Sequence, residues 1–169
     1  MQRVISSLVT WPGRHGWAIC VMIAAPAALA IAAAAALGGF LHWQPDPAKL
    51  LRLPMILVVP AFSEELIFRS ALPAQSQRQA QTRRPILWLA IGVVVFVLWH
   101  VIEALTFLPG AHLFLQPAFL ACAAILGLAC AVMRYRTGSL WPAVIFHALI
   151  VWLRQGFLAG PGVADLLRP

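Results

Sequence analysis

Acidic residues are nearly absent from this chain: Asp46, Glu64, Glu65, Glu103 and Asp165 are the only five in 169 positions. Charge of either sign is scarce at 10%, and 62% of residues are hydrophobic. Soluble domains carry about 25% charged and roughly 45–50% apolar residues. With a mean hydropathy of +0.88, the composition excludes a water-soluble domain. It implies an all-α, polytopic membrane helical bundle. Cysteine is also sparse. Cys20, Cys122 and Cys130 lie singly in apolar runs with no CxxC pair, so they read as small buried hydrophobes rather than a disulfide framework or a thiolate metal site. Lysine occurs once, against eleven arginines, for a net charge of +7. These cations fall between apolar runs, which points to membrane topology and away from nucleic acid. No repeat or low-complexity linker divides the chain, so residues 1–169 read as a single membrane domain.

Five apolar runs can be counted, giving about five transmembrane helices. Trp17 to Leu41 is uncharged and long enough for a core of about 30 Å. It exceeds a secretory h-region, so it reads as a retained extra helix, with Pro26 a site for a kink. The core helices follow within residues 50–157. They are Leu50 to Leu72, Ile86 to Phe107 with Pro85 in its first turn, Leu113 to Met133, and Leu140 to Phe157 with Ser139 as cap.

Loop charges orient the bundle. Arg3, Arg14, Arg78, Arg83, Arg84, Arg134 and Arg136 fall on one side; Lys49, Arg52, Arg154 and Arg168 fall on the other. The excess of arginine makes the first side cytoplasmic, with the N-terminus inside. Glu64 and Glu65 then lie about two turns in from the cytoplasmic surface. The alanine- and arginine-rich composition suits a bacterium, and hence its cytoplasmic (inner) membrane.

The adjacent Glu64-Glu65 sit in the most apolar setting available, LPMILVVPAFSEELIFR from Leu53 to Arg69. A charge at bilayer depth costs about 2.5–3.5 kcal/mol on insertion scales. Such a pair is expected only where something uses it. Arg69, four residues after Glu65, shares its helix face and leaves Glu64 about 100° around the helix. His100, with Phe96 at i−4 and Glu103 at i+3, and His147 are the imidazoles on other helices. One carboxylate and two imidazoles supply a general base, a partner for water and an oxyanion donor. That inventory suits acyl-bond hydrolysis without a Ser or Cys nucleophile. Glu and His also ligate zinc, so Glu64, His100 and His147 form an alternative zinc set. With no HExxH spacing in the chain, the preferred expectation is no metal and no cofactor.

Three motifs carry a resemblance. Glu64-Glu65-x-x-x-Arg69, Phe96-x-x-x-His100 and GSLWPAVIFH from Gly138 to His147 resemble those of the CPBP family. These are the CAAX-protease and bacteriocin-processing intramembrane proteases, also called ABI or Rce1-like glutamic proteases. The resemblance spans about residues 53–153. It implies that Glu64 activates the attacking water, His100 helps hold it, and His147 stabilises the oxyanion. Glu65 and Arg69 would form a supporting ion pair, and Phe96 the wall beside His100. The family's third motif usually continues to an Asn four positions after its His. Here that position is Val151, which donates no hydrogen bond. The implied partner is a protein or peptide substrate with a membrane-proximal cleavage site. Some compact bacterial members look like partners of C-terminal sorting signals, a transmembrane tail followed by a basic cluster, and the resemblance extends to that subtype.

Two other classes remain open on the same residues: a non-catalytic membrane immunity or adaptor protein, and a small proton-coupled transporter using the Glu and His residues as a relay. His15, His42 and His112 read as interfacial, and Glu103 as reaching the outer interface. Trp11, Trp17, Trp43 and Trp141 read as an aromatic belt. Gly156-x-x-x-Gly160 is a helix-contact signal. One geometric tension stands out. His100 lies about 21 Å along its helix from Ile86, whereas His147 lies only about 10 Å from Leu140. Convergence therefore requires the third helix to protrude, tilt or enter the membrane late.

Overall fold

A computed structural model describes residues 2–70, 72, 74, 85–161 and 163–167. The predicted cytoplasmic cations Arg78, Arg83 and Arg84, and Arg168 on the other side, lie outside the described residues. Described residues form helices joined by short turns, with one isolated bridge between Gln44 and Leu158. The order is α1 (Gln2–Val9), α2 (Arg14–Leu37), α3 (Pro47–Leu50), α4 (Leu53–Ile56), α5 (Ser63–Arg69), α6 (Pro85–Thr106), α7 (Pro117–Thr137), α8 (Trp141–Phe157) and α9 (Val163–Leu166). Among them α2, α6 and α7 are long and apolar enough to cross a membrane.

Punctuation residues set the boundaries. Pro85 opens α6 and Pro117 opens α7, where a missing N–H is harmless. Gly138 ends α7 at φ +73°, its N–H bonded to the Arg134 carbonyl at 2.9 Å. Ser139 Oγ accepts from Trp141 N at 3.3 Å, as a start signal for α8 should. Pro26 sits inside an uninterrupted α2.

The second predicted span departs most from expectation. Instead of one helix over Leu50 to Leu72, α3 and α4 are followed by a wide turn, Leu57–Phe62, before α5 begins. Val59 is extended at φ −134°, ψ 118°. Pro60 explains the break. It has no N–H to donate, and its ring pushes the preceding residue out of the helical region. Irregular backbone at membrane depth is tolerated where it is buried in protein or lines a cavity. Both conditions hold: Ala61 is fully buried, and Val59, Pro60 and Ser63 line a cavity. The fifth span, α8, has 17 residues and carries Arg154 and Gln155 in its last turn.

α7 is the central element, packed against α2, α6 and α8. Cys20, Leu126, Cys130, Met133, Ala143 and Phe146 fill the core between α2, α7 and α8. Ile56, Ala61, Leu140, Val144 and Ala148 join the broken segment to α8. At one end, α1 closes the bundle. Leu140 N bonds Ser7 O and Trp141 Nε1 bonds Leu8 O, each at 2.9 Å. At the far end, Gln44 N and Asp46 N bond the Phe157 and Gly156 carbonyls, each at 2.8 Å. Gly156 lies so close to Leu50 that an added Cβ would overlap it, so this glycine serves a contact with α3 inside the chain.

Candidate active site

Arg69 and Glu65 pair as their spacing predicts, with Nη1 3.3 Å from Oε1 and both side chains almost wholly buried. The pairing is ionic rather than a well-aligned hydrogen bond, because Nη1 has no hydrogen-bond partner among the described residues. The guanidinium instead lies over the Phe96 ring, 3.9 Å from its centroid. Phe96 is fully buried. Room for this stack comes from Gly127 on α7, where a Cβ would sit 2.9 Å from Phe96 Cδ1 and 3.0 Å from Arg69 Nη2.

His147 adds a contact that spacing did not reveal. Its Nδ1 lies 2.9 Å from Glu65 Oε1, so the carboxylate oxygen that faces Arg69 also accepts from the imidazole. Its Nε2 is 3.9 Å from Glu64 Oε2. Glu65 thus orients His147 as well as neutralising Arg69. Glu64, on the adjacent helical position, meets His147 on the other ring nitrogen. Glu64 Oε2 is buried and has no hydrogen-bond partner among the described residues.

His100 sits on α6 with Nδ1 2.9 Å from the Phe96 carbonyl oxygen. A carbonyl only accepts, so Nδ1 carries the proton and Nε2 keeps its lone pair in the neutral ring. Phe96 links the two imidazoles, edge-on to His100 at 4.7 Å and to His147 at 6.0 Å between centroids. Beyond His100 stand Phe114 and Phe119, stacked on each other at 4.5 Å.

Glu64, His100 and His147 line one cavity of about 440 Å³. The register of α6 shows how they meet. Gly92 lies against Leu72 and the Phe68 carbonyl, where α5 ends. The first turns of α6 therefore run past α5, and Ile86, Leu87 and Trp88 are exposed. This extension of the third predicted helix beyond the end of α5 brings His100 level with the other two residues.

Cavity-lining residues all come from one half of the bundle. They begin at Ala28 on α2, Trp99 on α6 and His147 on α8, and stop at Leu126 on α7. Val151 is on the cavity wall one turn from His147. Glu103, expected at the interface, lines the same cavity. So do Arg154 and Gln155, which the sequence reading missed. Arg154 counted there as an end charge, yet it stands seven residues after His147, which puts it on the same helix face. His15, His42 and His112 are exposed and outside the cavity.

Among the described residues, no group of three or more His, Cys, Asp or Glu is gathered closely enough to hold a metal ion. In the alternative zinc set, His147 has one ring nitrogen already bonded to Glu65.

The model of the type II CAAX prenyl endopeptidase Rce1-like family matches residues 45–153. No curated protein and no solved structure matches the chain. The matched stretch covers well over half of the chain and contains every residue of the three motifs. The chain therefore belongs to the Rce1-like family of type II CAAX prenyl endopeptidases.

Proposed function

We propose that this membrane-embedded protease hydrolyses a peptide bond by a glutamate-activated water, without a metal. Glu64 takes a proton from the water. His100 Nε2 accepts its second hydrogen bond, and the freed lone pair attacks the scissile carbonyl carbon. The C–N bond then breaks, with the amine leaving on the proton held by Glu64. His147 donates Nδ1–H to Glu65; as an imidazolium it also presents Nε2–H to the developing oxyanion. In that form the cluster carries two carboxylates and two cations, a balance suited to low dielectric. The observation carrying this reading is the unpartnered Glu64 Oε2 on the wall of a cavity that His100 and His147 also line.

The cavity occupies the half of the bundle away from α1, Arg134 and Arg136. If the arginine-rich end is cytoplasmic, the substrate is cut from the opposite side. A membrane-anchored C-terminal segment whose cleavage site emerges on that face fits, as a sorting signal with a basic cytoplasmic end would. The adaptor reading is favoured by one observation only, the valine at 151 on the cavity wall.

The test uses purified protein in lipid vesicles with membrane-anchored peptide substrates. Cleavage that survives exhaustive chelation and is lost in Glu64→Gln supports the proposal. Loss on chelation with rescue by zinc would replace it with a metal mechanism. Absence of cleavage in the wild type, with biological function intact in Glu64→Gln, would establish the adaptor.

A further inference from the structure

The cavity's far end holds two polar side chains that the proposed hydrolysis does not use. Arg154 and the buried Gln155 both line it. Arg154 Nη2 is buried without a hydrogen-bond partner, and no carboxylate among the described residues lies within ion-pair distance of it. Its guanidinium carbon sits 5.5 Å from the Phe119 ring centroid, against the aromatic wall that continues to His100. Gln155 is 4% exposed, and its Oε1 is likewise without a partner.

A half-buried guanidinium with one buried, unpartnered nitrogen on the wall of an apolar cavity is a strong site for one class of ligand. Carboxylates match its planar fork, and the low dielectric strengthens the contact. Gln155 beside it offers an amide acceptor for a peptide N–H. Seven helical residues separate Arg154 from His147, a rise of about 10 Å on nearly the same face. An extended peptide advances about 3.3–3.6 Å per residue. A carboxylate about three residues from the scissile carbonyl would therefore reach Arg154 while that carbonyl stays beside His147.

From this juxtaposition we infer that Arg154, assisted by Gln155, is a specificity-determining anchor for a carboxylate on the substrate. The inference rests on the reading of Glu64, His100 and His147 as the reacting end of the cavity. The carboxylate is either an Asp or Glu side chain, which suits a segment whose tail crosses the membrane, or the free C-terminus of a different, shorter substrate that ends about three residues past the cut.

Two matched peptide pairs separate those sources. One pair ends in a free acid or an amide; the other carries an internal Asp or Asn three residues from the cleaved bond. In vesicles, the wild type is expected to favour one acid over its neutral partner by about 10–10²-fold in kcat/KM, mainly through KM, as one charge-assisted contact of about 1.5–3 kcal/mol predicts. Arg154→Gln should erase that ratio, and Arg154→Lys, which keeps the charge, should retain part of it. Binding of the same peptides to the Glu64→Gln protein should show the same discrimination without turnover. Cleavage persisting in Glu64→Gln would count against the proposed chemistry alone. Equal binding of both acids and their neutral partners, or a ratio that survives Arg154→Gln, would overturn the anchor.

Discussion

Between His147 and α1 the bundle is solid, whereas between His147 and the far end it encloses a cavity. On the solid side Ser7, Arg134, Ser139, Leu140 and Ala143 are all 0% exposed, and Arg134 reaches the Ser70 carbonyl at 3.5 Å. On the hollow side Glu64, Trp99, His100, Val151 and Arg154 face a common space. The adjacent glutamates straddle this boundary. Glu65 is fully buried among Arg69 and His147, while the Glu64 side chain is 12% exposed on the cavity wall. Neighbouring carboxylates of the same type thus acquire different surroundings from the side of the boundary they occupy.

The sharpest way to break that comparison is to neutralise each glutamate in turn. Glu64→Gln keeps the shape and removes the proposed base. Cleavage should fall about 10³-fold, within the usual range for a general base, with an unchanged melting temperature in detergent. Glu65→Gln leaves Arg69 as a buried cation without its counter-charge. That should destabilise the protein by about 3–5 kcal/mol and lower activity as well, because a neutral amide oxygen holds the His147 Nδ1–H less strongly than the carboxylate does. If both variants melt alike, the division of labour is wrong.

Val151 tests the hollow side from the opposite direction. It stands one turn from His147 on the cavity wall, at the position where the motif resemblance leads one to expect an Asn. Single oxyanion donors are worth about 10²–10³ in rate. Val151→Asn should therefore raise kcat by about 10-fold or more, at some loss of stability from burying an amide. A kcat unchanged or lowered would mean that the oxyanion is already satisfied by other groups.

Much of this was legible because membrane depth makes every charge conspicuous. Glu64, Glu65 and Arg69 stand out in an apolar run, and i,i+4 spacing fixes the Glu65–Arg69 pair. Other features depend on tertiary register, which spacing does not encode. The contact between His147 and Glu65 joins residues 82 apart. The break at Pro60 was hidden because hydropathy reads Leu57–Phe62 as continuous apolar sequence; the proline itself was the available signal. Arg154 was obscured by its position in the last turn of α8, where a basic residue ordinarily serves the helix end. Its seven-residue spacing from His147 was the clue to its facing the cavity.

Gly127 lies on the boundary itself, beneath the Arg69–Phe96 stack. Gly127→Ala would set a Cβ within 3.0 Å of both side chains, so one or both must shift. The helix gains about 1 kcal/mol in propensity, which offsets the crowding. Near-wild-type melting with about 10-fold lower cleavage is the expected result. Unchanged cleavage would show that the position of the stack does not bear on His100 or His147.

The smallest effect belongs to the solid side. Trp141 Nε1 donates to the Leu8 carbonyl at 2.9 Å, and its ring stacks on Phe62 at 6.0 Å. Trp141→Phe keeps the aromatic contact and removes the donor, which should cost about 1 kcal/mol in stability. Because Trp141 lies outside the cavity, kcat per folded molecule should not change. A fall in kcat without a fall in melting temperature would mean that the α1 closure reaches the reacting groups through α8, and that the two halves of the bundle are coupled rather than separate.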